Sequence, residues 1–185
     1  MVSMALFDQR RYSLSRTETI GAVIIVAGGT LWHFVYDWSG HNQLVAMVAP
    51  ANESVWEHLK LVLVPVSVFG LVESLWVSAR ARLWWSKLVE IVSSNLFIIA
   101  FFYAYTGALG VGSMVAVDIG SFVVAVVLGQ WISYRIQVSK RRRPPLLVSA
   151  AALVLLFTFF AVVTFSPPHV PLFEVHSNGH FGPAR

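Results

Sequence analysis

Long apolar runs alternate with short polar connections along the whole chain. Five runs stand out, at about 19–36, 54–77, 83–105, 114–134 and 146–165. Each is close to the roughly 20 residues that carry a helix across a bilayer core. None shows the alternating, turn-punctuated pattern of a strand, so the expected fold is all-α, a bundle of five transmembrane helices. Pro65 sits inside the second run, where it removes one backbone hydrogen bond and is expected to kink the helix. Gly21, Gly28 and Gly29 in the first run would let a neighbouring helix approach closely. Ser121, Ala125 and Gly129 repeat every four residues in the fourth run, as do Ala116 and Gly120, giving two small-residue faces.

Composition agrees with this pattern. The 185 residues are 57% hydrophobic and only 12% charged, against roughly a quarter charged in soluble domains. There are too few polar side chains to cover a water-facing surface. The formal charge of +4 does not point to nucleic acid, because the basic residues lie in short runs beside the apolar segments. Cysteine is absent, which removes disulfides and thiolate chemistry.

Charge also orients the bundle. Eleven of the thirteen basic residues fall in three places: three in the arm 1–18, three in the connection 78–88 and five in the connection 135–143. With five spans these lie on one side, so the positive-inside pattern puts the N-terminus in the cytoplasm and the C-terminus outside. The expected organisation is a retained cytoplasmic arm at 1–18, a membrane bundle at 19–166 and an extracytoplasmic tail at 167–185. A signal peptide is disfavoured, since the first apolar run is long and lacks a small-x-small cleavage site. All six histidines then lie at or beyond the outer boundary.

The chemistry concentrates around residues 33–60, a polar island holding three histidines and three acids between two apolar runs. His33 and Asp37 are four apart and share a helix face, either as a metal ligand with its carboxylate or as a histidine capping a helix C-terminus. Ser54-x-x-Glu57 reads as a capping box for the second span. That leaves Glu53 and His58 without a structural role. His58 lies in a first helical turn, where the helix dipole favours neutral imidazole, the metal-binding form. Lys60 is expected to snorkel outward. His169 stands in the stiff segment Pro167-Pro168-His169-Val170-Pro171, suited to a ligand or to an ordinary helix stop. His176 and His180 read as solvated or weakly metal-binding.

Within the spans, Asp118 is expected about 7 Å below the outer end of the fourth helix, level with Tyr103, Tyr105 and Thr106. Glu73, Glu90 and Gln130 lie nearer the basic side. They either pair with Arg80, Arg82 or Lys87 and hydrogen-bond between helices, or form a proton or cation path to the outer site.

One layer at the outer boundary therefore collects His33, Asp37, Glu53, His58, Asp118 and His169. Three imidazoles and a carboxylate suit zinc with a position left for water, and Glu53 or Asp37 would act as general base. No HExxH or comparable motif is present, so the support is the convergence of separate segments.

The runs HFVYDWSGHN, APANESVWEHLK and PPHVPLFEVHSNGHFG resemble signature stretches of a family of small bacterial multi-pass membrane proteins of unknown function. They bracket all the spans, and the resemblance implies a bacterial plasma-membrane setting with no assigned activity. The chain differs from the seven-span metal hydrolases related to alkaline ceramidases in having fewer spans and no HxxxH in its last helix.

Three functions follow as expectations. The leading one is a zinc-dependent hydrolase at the extracytoplasmic face, acting on a lipid or another membrane-associated substrate. His33, His58 and His169 would be its ligands, Asp37 a ligand or orienter, and Glu53 the base. The second is a proton- or ion-coupled transporter using Asp118, Glu73 and Glu90. The third is a non-catalytic membrane partner or assembly factor. The bilayer is the expected environment, and a homo-oligomer is compatible with so short a multi-span chain.

Overall fold

The computed structural model describes residues 2–175 and 179–184. Eight α-helices follow one another: α1 (Val2–Trp32), α2 (Val35–Trp38), α3 (Gln43–Ala46), α4 (Val55–His58), α5 (Lys60–Glu73), α6 (Arg80–Leu109), α7 (Val115–Val138) and α8 (Leu146–Phe165). A short 3₁₀ turn at Pro171–Phe173 follows, and no strand occurs among the described residues. The all-α expectation holds.

Four helices are long and apolar enough to cross a membrane: α4 with α5 (Val55–Glu73), α6, α7 and α8. The expected first span is not among them. The N-terminal arm does not separate from it but joins it in the single helix α1. Only the stretch from Thr19 to the helix end at Trp32 is apolar, about 21 Å at 1.5 Å per residue. The backbone then turns at 33–34 before α2 resumes. The apolar continuity that the sequence pattern registered across 19–36 thus belongs to two helices. In the second span the helix runs on through Pro65, and the interruption lies at Leu59, between α4 and α5. The connection from α6 to α7 is short. α6 extends to Leu109 and ends on Gly110, whose φ of 64° is the left-handed conformation that glycine adopts without a Cβ penalty.

Helix α6 packs against α5, α7 and α8, and α1 closes the opposite side against α5 and α7. Glycine permits two of these approaches. A Cβ on Gly29 would lie 2.7 Å from the Leu61 carbonyl and 2.6 Å from the Phe122 ring. At Gly129 a Cβ would collide with Ser94, whose hydroxyl bonds the Ala125 carbonyl at 2.9 Å. The second small-residue face is not used within the chain, for nothing lies within 4 Å of a Cβ at Gly120. Outward-facing positions remain apolar, among them Ile24 on α1, Leu71 on α5, Leu96 on α6, Val127 on α7 and Leu155 on α8.

At the end of the bundle that carries the 33–60 segment, aromatic packing fixes the chain. Trp56 stacks on Phe160 with centroids 4.3 Å apart and meets Phe173 at 4.9 Å. The C-terminal tail folds back here. Ala184 N–H donates to the Ala51 carbonyl at 2.7 Å, the Tyr36 hydroxyl donates to the Ala184 carbonyl at 2.9 Å, and the Asn52 amide donates to the Gly182 carbonyl at 2.7 Å. The loop leading into α4 is thereby held from both sides.

Candidate functional site

His33 ends the hydrogen-bond ladder of α1, its backbone N–H donating to the Gly29 carbonyl at 3.1 Å. His58 ends α4. Their rings stack with centroids 5.3 Å apart and planes 20° apart. Glu53, on the loop just before α4, reaches both. Its two carboxylate oxygens lie 3.5 Å from His33 Nε2 and 3.3 Å from His58 Nε2. One ligand-capable atom from each of His33, Glu53 and His58 lies within 4.8 Å of the others. These residues come from three separate elements, and the convergence expected from the sequence is real for them.

Backbone chemistry fixes the His58 tautomer. His58 Nδ1 is 2.8 Å from the Ser54 carbonyl. A carbonyl oxygen only accepts, so Nδ1 carries the proton and donates it. The proton-free lone pair of neutral imidazole is then at Nε2, the atom that faces Glu53. A ring held by its other N–H is the usual arrangement of a metal-ligating histidine. Without a metal, the same Nε2 can carry a second proton and pair with Glu53. The Glu53 carboxyl sits below the usual carboxylate range, chiefly because His58 donates to it, with both imidazoles adding attraction against partial burial.

Two imidazoles and a carboxylate are donors of the kind that zinc takes, and with one atom from each within 4.8 Å of the others the triad is geometrically possible as a metal site. Bonds of about 2.0–2.1 Å in tetrahedral array would place donor atoms roughly 3.3 Å apart, whereas the two short distances here run to different oxygens of Glu53. Two imidazoles and one carboxylate leave the fourth position open.

The other expected members of the layer are not part of this cluster, although Asp37 and Asp118 stay within electrostatic reach of His33 and His58. His169 is exposed, its ring edge-on to Phe181 at 4.8 Å, and it takes no part in the cluster. The rigid proline segment carries it past the helix end on the tail. Asp37 accepts from His41 Nε2 at 3.1 Å, and His41 in turn stacks on Tyr36. The turn at 33–34 breaks the helical register on which a His33–Asp37 pairing depends. Asp118 accepts from the Tyr105 hydroxyl at 2.7 Å and the Ser113 hydroxyl at 2.6 Å. It lies in the first turn of α7, where it fastens α7 to the end of α6. His176 falls outside the described residues.

The capping box is half formed. Ser54 Oγ accepts from the Glu57 N–H at 3.4 Å, whereas the Ser54 N–H donates to Asn52 Oδ1 at 2.8 Å. The Glu57 side chain has other work. It accepts from the Ala51 N–H at 2.8 Å, from Lys60 Nζ at 2.7 Å and from the Thr164 hydroxyl at 2.8 Å. Lys60 does not snorkel; it is fully buried and also donates to Thr164 Oγ1 at 2.6 Å and to the Ala46 and Ala49 carbonyls. An ammonium has three protons to place, and here acceptors on α3, α4, α8 and the intervening loop take them. The Glu57–Lys60 spacing of three residues was the local signal for this pair. Thr164, more than a hundred residues away, left none.

The deeper acids Glu73 and Glu90 are brought together by Lys87. Its Nζ lies 3.3 Å from Glu73, 3.2 Å from Glu90 and 3.0 Å from Glu18. Pairing with a basic residue was one of the two expectations for these acids, and Lys87 supplies it. Glu18, placed in the arm by the sequence pattern, joins because α1 is continuous.

A family of unknown function, DUF6512, matches residues 8–183, and the chain belongs to it. No curated protein and no solved structure matches the chain.

Proposed function

We propose that this DUF6512 protein is a five-span plasma-membrane protein with a divalent-metal site at its extracytoplasmic face, used to hydrolyse a lipid or lipid-linked substrate. The observation that carries the reading is the His33–Glu53–His58 cluster with the His58 Nδ1 proton committed to Ser54. A bound zinc ion would supply Lewis acidity and a water acidified toward neutrality. The protein's own part is positional. His33 and His58 would present Nε2 atoms, and Glu53 moves from the base expected of it to the third ligand. The Tyr36–Ala184 and Asn52–Gly182 bonds hold the loop that carries Glu53.

The fifth span is α1 with α2. Its support is the packing of α1 against α5 and α7 and the exposed apolar side chains of Ile20, Val23, Ile24 and Leu31. Positive-inside charge then sets the N-terminus in the cytoplasm. A membrane-borne substrate is supported by the exposed apolar rim beside the cluster: Phe34 and Trp38, stacked at 5.9 Å, with Leu44 and Met47 across the loop.

The test is hydrolysis of a fluorogenic long-chain ester in phosphatidylglycerol–phosphatidylethanolamine vesicles containing the purified protein. Zinc-loaded wild type should hydrolyse it, and His58→Ala should lose activity by about 100-fold or more, since outer-shell partners of a metal ligand are alone worth about 10–100-fold. Equal rates for wild type, His58→Ala and chelator-treated protein would contradict the reading.

A further inference from the structure

At the opposite end of the bundle, three carboxylates and one ammonium are buried together. Glu18 comes from α1, Glu73 from α5, and Lys87 and Glu90 from α6; Glu18 is 4% exposed and the other three are 0%. With every group ionised, the three ion pairs to a single Lys87 leave two negative charges uncompensated within the contact set. Uncompensated charge in such surroundings is expensive, and a carboxylate escapes the cost by taking a proton.

The polar atoms are only partly satisfied. Ser133 Oγ donates to Glu18 at 2.9 Å, Gln137 Nε2 donates to the same oxygen, and Lys87 donates to Glu18 and Glu90. Both Glu73 oxygens and Glu90 Oε1 receive no hydrogen bond, although Glu73 lies within ion-pair distance of Lys87. The Gln130 side chain points into the same space, its Oε1 3.5 Å from Lys87 Nζ and its Nε2 without an acceptor. Phe69 covers the ammonium at 5.1 Å. A carboxylate oxygen that is fully enclosed and receives no hydrogen bond is costly as an anion, and taking a proton relieves that cost. Of the cations at this end, Arg82 and Arg143 donate to the backbone carbonyls of Gln137 and Ile136, and Arg135 lies over the Trp131 ring.

A cleft lies against the cluster at Gln137. It has a volume of about 560 Å³ and is lined by Leu14, Trp76, Ser78, Arg82 and Gln137. Gln137 therefore belongs to both places: it faces the cleft and donates to Glu18.

We propose that Glu18, Glu73 and Glu90 around Lys87 form a proton-binding site, holding at least one proton at neutral pH and exchanging it through the cleft at Gln137. The site is independent of the metal cluster at the other end. The proton belongs to the three carboxylates as a set, and Lys87 remains the ammonium with which they pair. Exchange would carry the proton by way of Glu18 towards the cleft that Gln137 lines.

Infrared spectroscopy of the full-length protein in lipid nanodiscs tests this. The wild type should show, at neutral pH, the carbonyl stretch of a protonated carboxylic acid that shifts in heavy water and fades as the pH rises. Glu73→Gln and Glu90→Gln, each replacing a carboxyl by a neutral isostere that preserves the fold, should remove or diminish the band. Asp118→Asn should leave it. Gln137→Leu should slow the heavy-water shift several-fold. A band that is absent, or that survives Glu18→Gln, Glu73→Gln and Glu90→Gln alike, overturns the site; an unchanged exchange rate in Gln137→Leu overturns the route. The thermal midpoint gives an independent readout. A folded chain that holds a proton which the unfolded chain releases loses stability as pH rises, about tenfold in the folding equilibrium per pH unit for each proton. Glu73→Gln or Glu90→Gln should flatten that dependence.

Discussion

Lys60 decides more of the outer architecture than any other single side chain. Its ammonium ties α3, α4 and α8 together in a buried pair with Glu57, with the carbonyls of Ala46 and Ala49 and the Thr164 hydroxyl completing its shell. A buried pair adds little compared with apolar residues, but breaking one partner strands the other charge. Lys60→Met should therefore destabilise the protein by about 3–5 kcal/mol, with a large part restored by adding Glu57→Gln. Thermal unfolding of detergent-purified protein measures both. Glu53 gives a second prediction at this scale. His58 holds its carboxyl below the ordinary value of 4.5, so its stabilising contribution is present above that value and is lost as pH falls through the lower folded value. In chelator-treated protein, Glu53→Gln should be less stable than wild type at neutral pH and should lose less on acidification. Parallel acid limbs for the two proteins would count against the Glu53–His58 contact.

At the level of elements, helix contacts run through glycines whose replacement has a defined obstacle. Gly29 faces the backbone carbonyl of Leu61, which cannot swing aside, so Gly29→Ala should cost about 1–3 kcal/mol. Gly120→Ala meets nothing and should leave stability unchanged or slightly higher. The same thermal assay separates them. These elements also show what a hydrophobicity pattern can and cannot register. The last helix, expected at 146–165, runs over Leu146–Phe165, because its apolar run has sharp Pro and Ser-Pro-Pro boundaries. α1 was misdivided, because polarity changes at residue 18 while the backbone continues helical through it. His33 and His58 were legible as candidates, being polar residues at the ends of apolar runs. Their meeting through Glu53 was legible only as convergence of segments. Asp37 and His169 were placed by local spacing and stiffness, and a two-residue turn and a folded tail moved them elsewhere. Lys60 was misplaced, since a lysine within an apolar run looks the same in sequence whether it snorkels or pairs, whereas Lys87 was already among the expected partners of Glu73 and Glu90.

The whole molecule has two polar centres at opposite ends of an apolar bundle. His33, Glu53 and His58 occupy one, and Glu18, Glu73, Lys87 and Glu90 the other. Four helices can cross a membrane by length and composition, and the proposed orientation depends on α1 as the fifth. The natural absence of cysteine makes that directly testable. Single cysteines in place of Ser3 and Asn42 should label from opposite sides of sealed vesicles with a membrane-impermeant maleimide, and Ser139→Cys should label from the Ser3 side. Ser3→Cys and Asn42→Cys labelling from the same side would remove α1 from the spans.

The central claim is that His33, Glu53 and His58 hold a metal. The most direct measurement is metal content per chain, by plasma mass spectrometry, of protein purified without chelators and then equilibrated with zinc and desalted. About one zinc per wild-type chain is expected, lost in His58→Ala and in His33→Ala and retained in His169→Ala, which lies outside the cluster. No retained zinc in the wild type, or equal zinc in His58→Ala, would contradict it.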